Sequence, residues 1–354
     1  MKNIALLIPK SSSDHIYRGI GTYTTNLLAQ LIRLAPAHGL TLHTFSDRPP
    51  RNIDLIHFTY FDLFKSTLPI FKSAATVVSI LDVIPLEFPD PYPPGIKGSV
   101  NLLLQKLSLV NTSRVITISN YSKIQISKYL NISPDHIDVT HLAASGEFKP
   151  LPKSPVLEKT SLKYKLPLQF VLYVGDINWN KNLGLLTQAC VDLQQELVIV
   201  SKNATQDNLP LNHPELMHFK IWVAKYGSHP LVHRIGFVPS DDLAAIYNLA
   251  SVYCLPSFSE GFGLTLLEAM SCGTPCVCSD IPVLREVGES APLYFNPKDQ
   301  TDINKKLASV LSNTTVAPQL RLKSIRQSKL FNWGKTARLT ISAYQKILDT
   351  SYSR

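Results

Sequence analysis

Short apolar runs alternate along this chain with longer segments in which apolar residues recur every three or four positions. The short runs are typical of buried parallel strands, and the longer segments are typical of helices with one buried face. In the first half the pattern predicts strands at 3–8, 40–45, 53–58, 75–80, 114–118 and 137–140, with helices at 20–35, 97–111 and 120–131. Strands separated by helices favour an α/β fold with a parallel sheet covered on both faces.

The alternation restarts after about residue 165. Strands are predicted at 169–174, 196–201, 232–235, 251–255, 275–279 and 291–294, with helices at 181–193, 212–224, 240–249, 262–271, 281–287 and 299–311. Between the halves, residues 148–167 are rich in proline and lysine, which indicates a linker. We therefore predict two doubly wound, Rossmann-like domains, over residues 1–165 and 166–330, facing each other across a cleft that holds the ligand. Residues 331–354 add an amphipathic helix.

Composition excludes several classes of protein. Hydrophobic residues make up 45% of the 354 positions, which is enough for two cores and too much for a disordered chain. No apolar run approaches the roughly 18 residues of a membrane span. The apolar run at Ile4–Ile8 is also shorter than the roughly 7–15 residues of a signal peptide, so we expect a cytoplasmic protein.

Neither the cysteines nor the acidic pairs predict a metal site. The cysteines at positions 190, 254, 272, 276 and 278 form no CxxC pair and suit no common zinc spacing, so we interpret them as buried packing residues. Asp241 and Asp242 open a predicted helix and are interpreted as a pair of N-terminal capping residues.

The net charge of +9 is concentrated in the first half. Residues 1–165 contain 18 basic and 11 acidic residues, whereas the rest of the chain contains 17 basic and 15 acidic residues. This excess suggests an anionic partner such as a phosphorylated acceptor or an anionic membrane surface. Nucleic acid is not expected, because the chain lacks an arginine-rich run, zinc-finger spacing and an aromatic RNP motif. An ordinary soluble protein of high isoelectric point remains an alternative.

The most informative stretch is PSFSEGFGLTLLEAMSCGTPCVCSD, residues 256–280. A strand ends there, and a glycine-containing turn leads into a helix predicted to begin near Phe262. The amides and the dipole at a helix start bind phosphate, and glycines let the backbone approach a ligand closely. Glu260 and Glu268 are eight residues apart and could share a face if both were helical. On these grounds alone, a plain helix start with a capping acid also fits.

This stretch resembles the signature of retaining glycosyltransferase family 4, whose members have the GT-B fold. The family carries two glutamates at the same spacing, and this chain departs only at Cys276, where the family usually has Val. The resemblance implies that Glu260 contacts hydroxyls of the transferred sugar and that Glu268 accepts hydrogen bonds from the ribose. The donor would be held further by the backbone of Gly261, Phe262, Gly263, Leu264 and Thr265.

A second match, FVLYVGDINWNKNL, resembles the LYVGxxxPRKNL of the family. It implies a strand that ends at Gly175 and a lysine, Lys181, that offsets negative charge on the departing diphosphate. The chain departs at Asn180, where many members have Arg, and at Asp176, where some carry a phosphate-binding Arg. Lys202, after the next strand, is therefore a candidate second cation. Both lysines also fit ordinary exposed positions.

The first half matches the family in shorter pieces. RGIGTYTTNLL resembles the GGIGRYTxxL of the family, which implies that Gly19 and Gly21 form a turn before a helix whose amides face the donor phosphates. VITISNYSK matches a family segment in which Ser119 lies near the reacting region. An ordinary glycine turn and a purely structural serine are the alternatives.

SILDVIPLEFP resembles the HDxxPLxFP of the family. Asp82 fits this pattern and joins Glu260 and Lys181 in the predicted catalytic set, whereas Leu81 replaces a histidine that lies near the sugar in the family. His57, at the end of a strand, is interpreted as a packing residue that points toward the predicted cleft.

The resemblance predicts a retaining glycosyltransferase. No D-x-D motif in a strand context stands out as a metal site, and Lys181, Lys202 and two helix dipoles could offset the charge of the diphosphate, so we also predict that the enzyme needs no metal ion and no cofactor. It would move a sugar from a UDP-, GDP- or other nucleoside-diphosphate sugar to a hydroxyl of a glycan or lipid-linked acceptor, in polysaccharide or lipopolysaccharide biosynthesis. The enzyme would be cytoplasmic or peripheral on the inner face of the membrane, and its last helix would cross back toward the N-terminal domain.

Two other functions stay open at this stage. The departures at Leu81, Asp176 and Asn180 also fit a catalytically weak GT-B protein that binds sugar nucleotides or serves as an accessory subunit. A different GT-B enzyme, such as a nucleotide-sugar epimerase, is a further alternative.

Overall fold

A computed structural model of the protein describes residues 1–8, 19–206 and 214–350, apart from the side chain of Thr350. The chain divides into two compact units. The first comprises residues 1–143 together with the C-terminal segment from residue 331, and the second comprises residues 144–330. Each unit contains a six-stranded parallel sheet and helices, which confirms the predicted α/β class.

In the first unit the strand order is β2-β1-β3-β4-β5-β6. The strands are β1 (Lys2–Leu7), β2 (Leu40–Phe45), β3 (Leu55–Phe58), β4 (Ala75–Ser79), β5 (Arg114–Thr117) and β6 (Ile137–Val139). Neighbouring strands are parallel throughout, with Ile4 of β1 paired to Leu55 of β3. The strands β1, β3, β4 and β5 are largely buried on both faces, as their apolar runs predict, whereas the edge strands β2 and β6 are only partly buried.

The helices of the first unit are α1 (Gly19–Leu34), α2 (Ile84–Glu87), α3 (Gly95–Leu109), α4 (Asn120–Leu130) and α13 (Trp333–Thr350). In α1 the buried residues Tyr23, Leu27 and Leu31 recur every fourth position. The C-terminal helix α13 packs against α1 and β5, and its apolar stripe, which includes Ile341 and Tyr344, is buried there.

In the second unit the strand order is β12-β11-β10-β7-β8-β9, again all parallel. The strands are β7 (Val171–Val174), β8 (Leu197–Val200), β9 (Val232–Ile235), β10 (Val252–Leu255), β11 (Cys276–Ser279) and β12 (Leu293–Phe295). The helices are α5 (Pro155–Tyr164), α6 (Leu183–Asp192), α7 (Pro214–Tyr226), α8 (Ser240–Leu249), α9 (Leu264–Cys272), α10 (Pro282–Gly288), α11 (Gln300–Ser312) and α12 (Val316–Ser328). All five cysteines are buried, as expected of packing residues.

Two helices of the second unit, α5 and α12, were not predicted, and α5 lies within the segment predicted as a linker. Proline is tolerated at the first position of a helix, where its missing amide hydrogen is not needed. Pro155 can therefore begin helix α5, which occupies residues 155–164. It packs against α8, and both Lys163 Nζ and Tyr164 Oη donate to the carboxylate of Asp242, at 2.6 and 2.8 Å. The sequence had suggested that Asp242 caps α8. It lies instead in the first turn of that helix, where it is an ion-pair partner.

The preceding segment is also fastened to the second unit. The amide of Leu151 donates to Asn248 Oδ1 at 2.8 Å, and Asn248 Nδ2 donates to the carbonyl of Lys149 at 3.0 Å. These bonds explain why the units divide between Ala143 and Ala144 and not near residue 165. None of the helices in the described part of the chain has the length and hydrophobicity needed to span a bilayer.

Candidate active site

The direction of strand addition reverses between β7 and β10 of the second unit. From β7 the chain moves to β8 and β9 on one side, and it then returns to β10, β11 and β12 on the other. At such a point the loops that leave neighbouring strands diverge, and the space beyond their carboxyl ends is where α/β sheets bind ligands. Two loops leave the sheet here, residues 175–182 after β7 and residues 256–263 after β10.

The two loops bring together two residues that the sequence singled out, 79 positions apart. Lys181 Nζ donates to Glu260 Oε1 at 2.8 Å, and Ser257 Oγ donates to the same oxygen at 2.7 Å. The side chains of Lys181 and Glu260 are only 19% and 11% exposed. Solvent screens a pair this shielded less than a surface pair, so Lys181 and Glu260 hold each other in position.

Further bonds fasten the loops to each other. The amide of Phe258 donates to the carbonyl of Asn180 at 2.7 Å, and Asn180 Nδ2 donates to the carbonyl of Ser259 at 2.9 Å. The rings of Trp179 and Phe258 stack with centroids 5.0 Å apart. Asn180, which departs from the arginine of the family pattern, thus has a structural role in joining the loops.

Helix α9 begins directly after the second loop. Gly263 caps it with φ of +90°, and a Cβ there would lie 2.6 Å from Leu284 Cδ2, so both backbone and packing favour glycine. The helix starts at Leu264 and not near Phe262 as predicted, and Glu260 lies in the loop. Glu260 and Glu268 therefore do not share a helical face. The first turn, with Leu264 and Thr265, presents amides that lack intrahelical acceptors by geometry.

Glu268 lies inside α9 and is almost buried. Tyr247 Oη donates to Glu268 Oε2 at 3.1 Å. Burial raises the pKa of this carboxyl from its usual 4.5 to about 8; the Tyr247 hydrogen bond opposes the rise, and the charge of Glu147 adds to it. The carboxyl is thus mainly protonated at neutral pH, whereas the resemblance implied a carboxylate that accepts from ribose hydroxyls.

Gly261 and Phe262 lie in the loop between β10 and α9, and the other predicted residues of the second unit, Gly175 and Lys202, follow β7 and β8. Gly175 follows β7, and a Cβ there would lie 2.9 Å from Tyr173 Oη. Asp176 Oδ1 accepts from Asn203 Nδ2 at 2.9 Å, which links the chain after β7 to the turn after β8. Lys202 is exposed in that same turn. Asp176 therefore has a structural role where some family members carry a cation.

Four predicted residues lie in the first unit. Gly19 and Gly21 are in the first turn of α1 and not in a turn before it, while the residues immediately preceding them are outside the described ranges. Asp82 follows β4, and its Oδ1 accepts from the amide of Ile84 at 3.2 Å. Ser119 is fully buried as the N-cap of α4 and accepts from the amide of Ser122 at 3.0 Å. Their roles in donor binding or catalysis stay predictions.

His57 is a packing residue, as interpreted from the sequence. Its ring is fully buried, with Nδ1 2.6 Å from Tyr344 Oη and Nε2 2.8 Å from Ser79 Oγ. Burial lowers its pKa to about 3, so the ring is neutral.

Across residues 1–8, 19–206 and 214–350, no cluster of three or more His, Cys, Asp and Glu side chains is arranged to hold a metal ion.

Sequence reasoning missed two residues that shape the site. Tyr247, on α8, is the partner of Glu268, and nothing in the sequence pairs these positions. Ser257 holds Glu260, and its place three residues before the glutamate in a polar loop was an available signal.

Comparisons with known proteins agree with this architecture. The sequence profile of the family described as glycosyl transferases group 1 matches residues 158–330. The O-antigen chain mannosyltransferase B of Escherichia coli is 30% identical over 279 residues, which cover 76% of this chain and 70% of that protein. The serotype-specific mannosyltransferase WbdA of Escherichia coli is 30% identical over 284 residues, which cover 78% of this chain but 34% of that protein.

Among solved structures, that of the HepE protein of Anabaena in complex with UDP and glucose has a TM-score of 0.72 at 15% identity, and the match covers 100% of both chains. The protein thus has the GT-B architecture of two parallel α/β sheets. The chain belongs to the glycosyl transferases group 1 family and is a glycosyltransferase.

Proposed function

We propose that this glycosyltransferase is retaining, needs no metal ion, and moves a sugar from a nucleoside-diphosphate sugar to a hydroxyl of a glycan or lipid-linked acceptor. The observation that carries the proposal is the Lys181–Glu260 pair beside the start of α9, at the point where strand order reverses. The Escherichia coli relatives support polysaccharide or lipopolysaccharide assembly as the setting and mannose as the first sugar to test. The HepE structure supports a UDP-type donor.

The positive charge for the diphosphate comes from two sources in this proposal. Lys181 supplies an ammonium group whose charge Glu260 partly balances, and the first turn of α9 supplies amide donors and the positive end of a helix dipole. Both are fixed before the donor arrives, because Lys181 is held by Glu260 and the helix start is set by Gly263. Preorganised charge of this kind stabilises a leaving diphosphate without a metal ion.

Glu260 orients the transferred sugar. Its carboxylate is aimed by Lys181 and Ser257, which leaves it able to accept hydrogen bonds from sugar hydroxyls through its second oxygen. The bond between the anomeric carbon and the diphosphate breaks first, through an oxocarbenium-like state. The acceptor oxygen then bonds to the same face of the sugar while its proton passes to the departing diphosphate, so the anomeric configuration is retained.

Transfer assays with a panel of sugar nucleotides and acceptors test this assignment. Lys181→Ala, Glu260→Ala and Glu268→Ala should each lower the rate of transfer by at least about tenfold, which corresponds to about 1.4 kcal/mol of transition-state stabilisation. Matched controls are Lys225→Ala and Glu158→Ala, two exposed positions in the same unit, which should leave the rate unchanged. Full activity of all three site variants, with circular dichroism unchanged, would refute the site.

Two further measurements test the finer claims. NMR of the product should show that the anomeric carbon keeps its configuration, and an inverted product would exclude the retaining course. The rate should be the same after removal of divalent ions with EDTA. A loss restored by Mg²⁺ or Mn²⁺ would show that Lys181 and the α9 helix start do not suffice.

A further inference from the structure

Helix α3 of the first unit has its apolar face turned outward. Ile96, Val100, Leu103, Leu107 and Val110 are between 51% and 89% exposed. At 3.6 residues per turn these five positions fall within an arc of about 80°, forming a stripe about 21 Å long. We name these five residues the α3 stripe. Continuous exposed apolar surface of this kind marks a contact with another molecule or with a membrane.

Polar side chains on the opposite face fix this orientation. Gln105 is buried, its Nε2 donates to the carbonyl of Asp62 at 2.8 Å, and its Oε1 accepts from the amide of Leu68 at 3.3 Å. Asn101 Nδ2 donates to the carbonyl of Phe64 at 2.8 Å. Rotating the helix to bury the α3 stripe would break these bonds and bury polar groups without partners, which is costly. The outward stripe is therefore a property of the fold.

A neighbouring loop adds a further exposed aromatic side chain. Phe71 is 92% exposed. The next residue, Lys72, donates through Nζ to the carbonyls of Ser108, near the end of α3, and of Pro69. The loop that carries Phe71 is thus fastened to the C-terminal part of α3.

The charges around the stripe indicate what covers it. Lys97 and Lys106 are exposed and, by helical geometry, flank the α3 stripe on opposite sides. Residues 91–134 contain five lysine or arginine residues and no Asp or Glu; the nearest acidic residues in sequence are Asp90 and Asp135. An apolar stripe flanked by cations is the pattern of a helix that lies in the interface of an anionic bilayer, with the lysine stems along the apolar surface and their ammonium groups among the headgroups.

We propose that the α3 stripe, flanked by Lys97 and Lys106, docks this protein on the surface of an anionic lipid bilayer. A bilayer is favoured over a second copy of the chain, because two copies meeting at this face would bring the lysines of α3 together, and α3 itself contains no Asp or Glu to pair with them. The proposal does not depend on the proposed function, since vesicle binding is measured without donor or acceptor.

Co-sedimentation of the full chain with lipid vesicles tests it. The protein should bind phosphatidylcholine vesicles that contain phosphatidylglycerol, bind pure phosphatidylcholine far more weakly, and be released by added salt. The variant Ile96→Gln/Leu103→Gln/Leu107→Gln should bind at least about tenfold more weakly. Its matched control is Leu162→Gln/Ile221→Gln/Leu322→Gln, three exposed aliphatic residues of the second unit, which should bind like the wild type.

A charge variant tests the same surface without changing its apolar area. Lys97→Glu/Lys106→Glu should lose binding to the anionic vesicles. The control variant Lys305→Glu/Lys323→Glu changes two exposed lysines of the second unit and should bind clearly better than Lys97→Glu/Lys106→Glu. Equal vesicle binding by the wild type and both α3 variants would overturn the proposal. So would a wild type that ignores anionic vesicles but forms a dimer that the glutamine variant abolishes in size-exclusion chromatography, because the stripe would then be a protein interface.

Discussion

Replacing Glu268 with glutamine isolates the cost of placing a negative charge inside α9. The side chain is 8% exposed, and Tyr247 Oη donates to it at 3.1 Å. Glutamine keeps the size of the side chain and an oxygen acceptor for Tyr247, but it cannot ionise. Any pH-dependent difference between the two proteins therefore reports on the ionisation of this one carboxyl.

The structure sets both the sign and the size of the effect. Burial raises the pKa of Glu268 from 4.5 to about 8, so the folded state binds the proton more tightly than the unfolded state does. Stability is then lost as the pH rises through this window, at about 1.4 kcal/mol per pH unit. Between about pH 5 and about pH 8 the free energy of unfolding of the wild type should fall by roughly 3–4 kcal/mol relative to that of Glu268→Gln. Below about pH 4.5 the difference between the two proteins should no longer change with pH.

Urea unfolding at a series of pH values measures this difference by tryptophan fluorescence, to which the second unit contributes Trp179 and Trp222 and the first unit contributes Trp333. The matched control is Glu158→Gln, on the exposed face of α5 in the same unit, which should follow the wild-type pH dependence. Wild-type and Glu268→Gln stabilities that change in parallel with pH would show that the carboxyl is already ionised in the folded state at neutral pH, and the reasoning would be refuted.

Three other changes test contacts inside the individual units. Gly263→Ala should lower the free energy of unfolding by about 1–3 kcal/mol, because alanine is strained at φ of +90° and its Cβ would press on Leu284; an unchanged melting temperature would contradict this. Tyr344→Phe should cost about 1–2 kcal/mol in urea unfolding, since His57 Nδ1 loses its buried partner, and a neutral effect would count against that hydrogen bond. Burial lowers the pKa of His57 to about 3, so the unfolded state takes up the proton first as the pH falls. The free energy of unfolding of the wild type should therefore decrease below about pH 6.5, and that of His57→Gln should decrease less steeply with pH.

The strands could be predicted because most are short runs of apolar residues, and the predicted strands coincide with β1–β12 to within two residues at each end. The central strands are largely buried on both faces, whereas the edge strands β2, β6, β9 and β12 are only partly buried. The helices with regular apolar faces, such as α1 and α8, were equally readable. Helix α5 was missed because prolines and lysines in residues 148–167 are as typical of a loop as of a helix that begins at a proline. Only its partner Asp242, far along the chain, decides between the two.

The contacts of the candidate site were likewise predictable only in part. The pairing of Lys181 with Glu260 follows from topology, since neighbouring parallel strands bring their carboxyl ends to one edge. The burial of Glu268 and its bond to Tyr247 depend on how α8 and α9 pack, which no local pattern specifies. The outward α3 stripe was hidden for a similar reason, because the polar residues that fasten the helix look like a solvent-facing side in sequence.

The most direct test of the central claim is calorimetric titration of UDP, GDP and their sugars into the protein, because that claim places a nucleoside-diphosphate sugar at the carboxyl ends of β7 and β10. At least one of these ligands should bind the wild type saturably. Lys181→Gln should bind it at least about tenfold more weakly. Lys225→Gln, an exposed lysine of the same unit, should bind it like the wild type. Binding that is undiminished by Lys181→Gln would contradict the account.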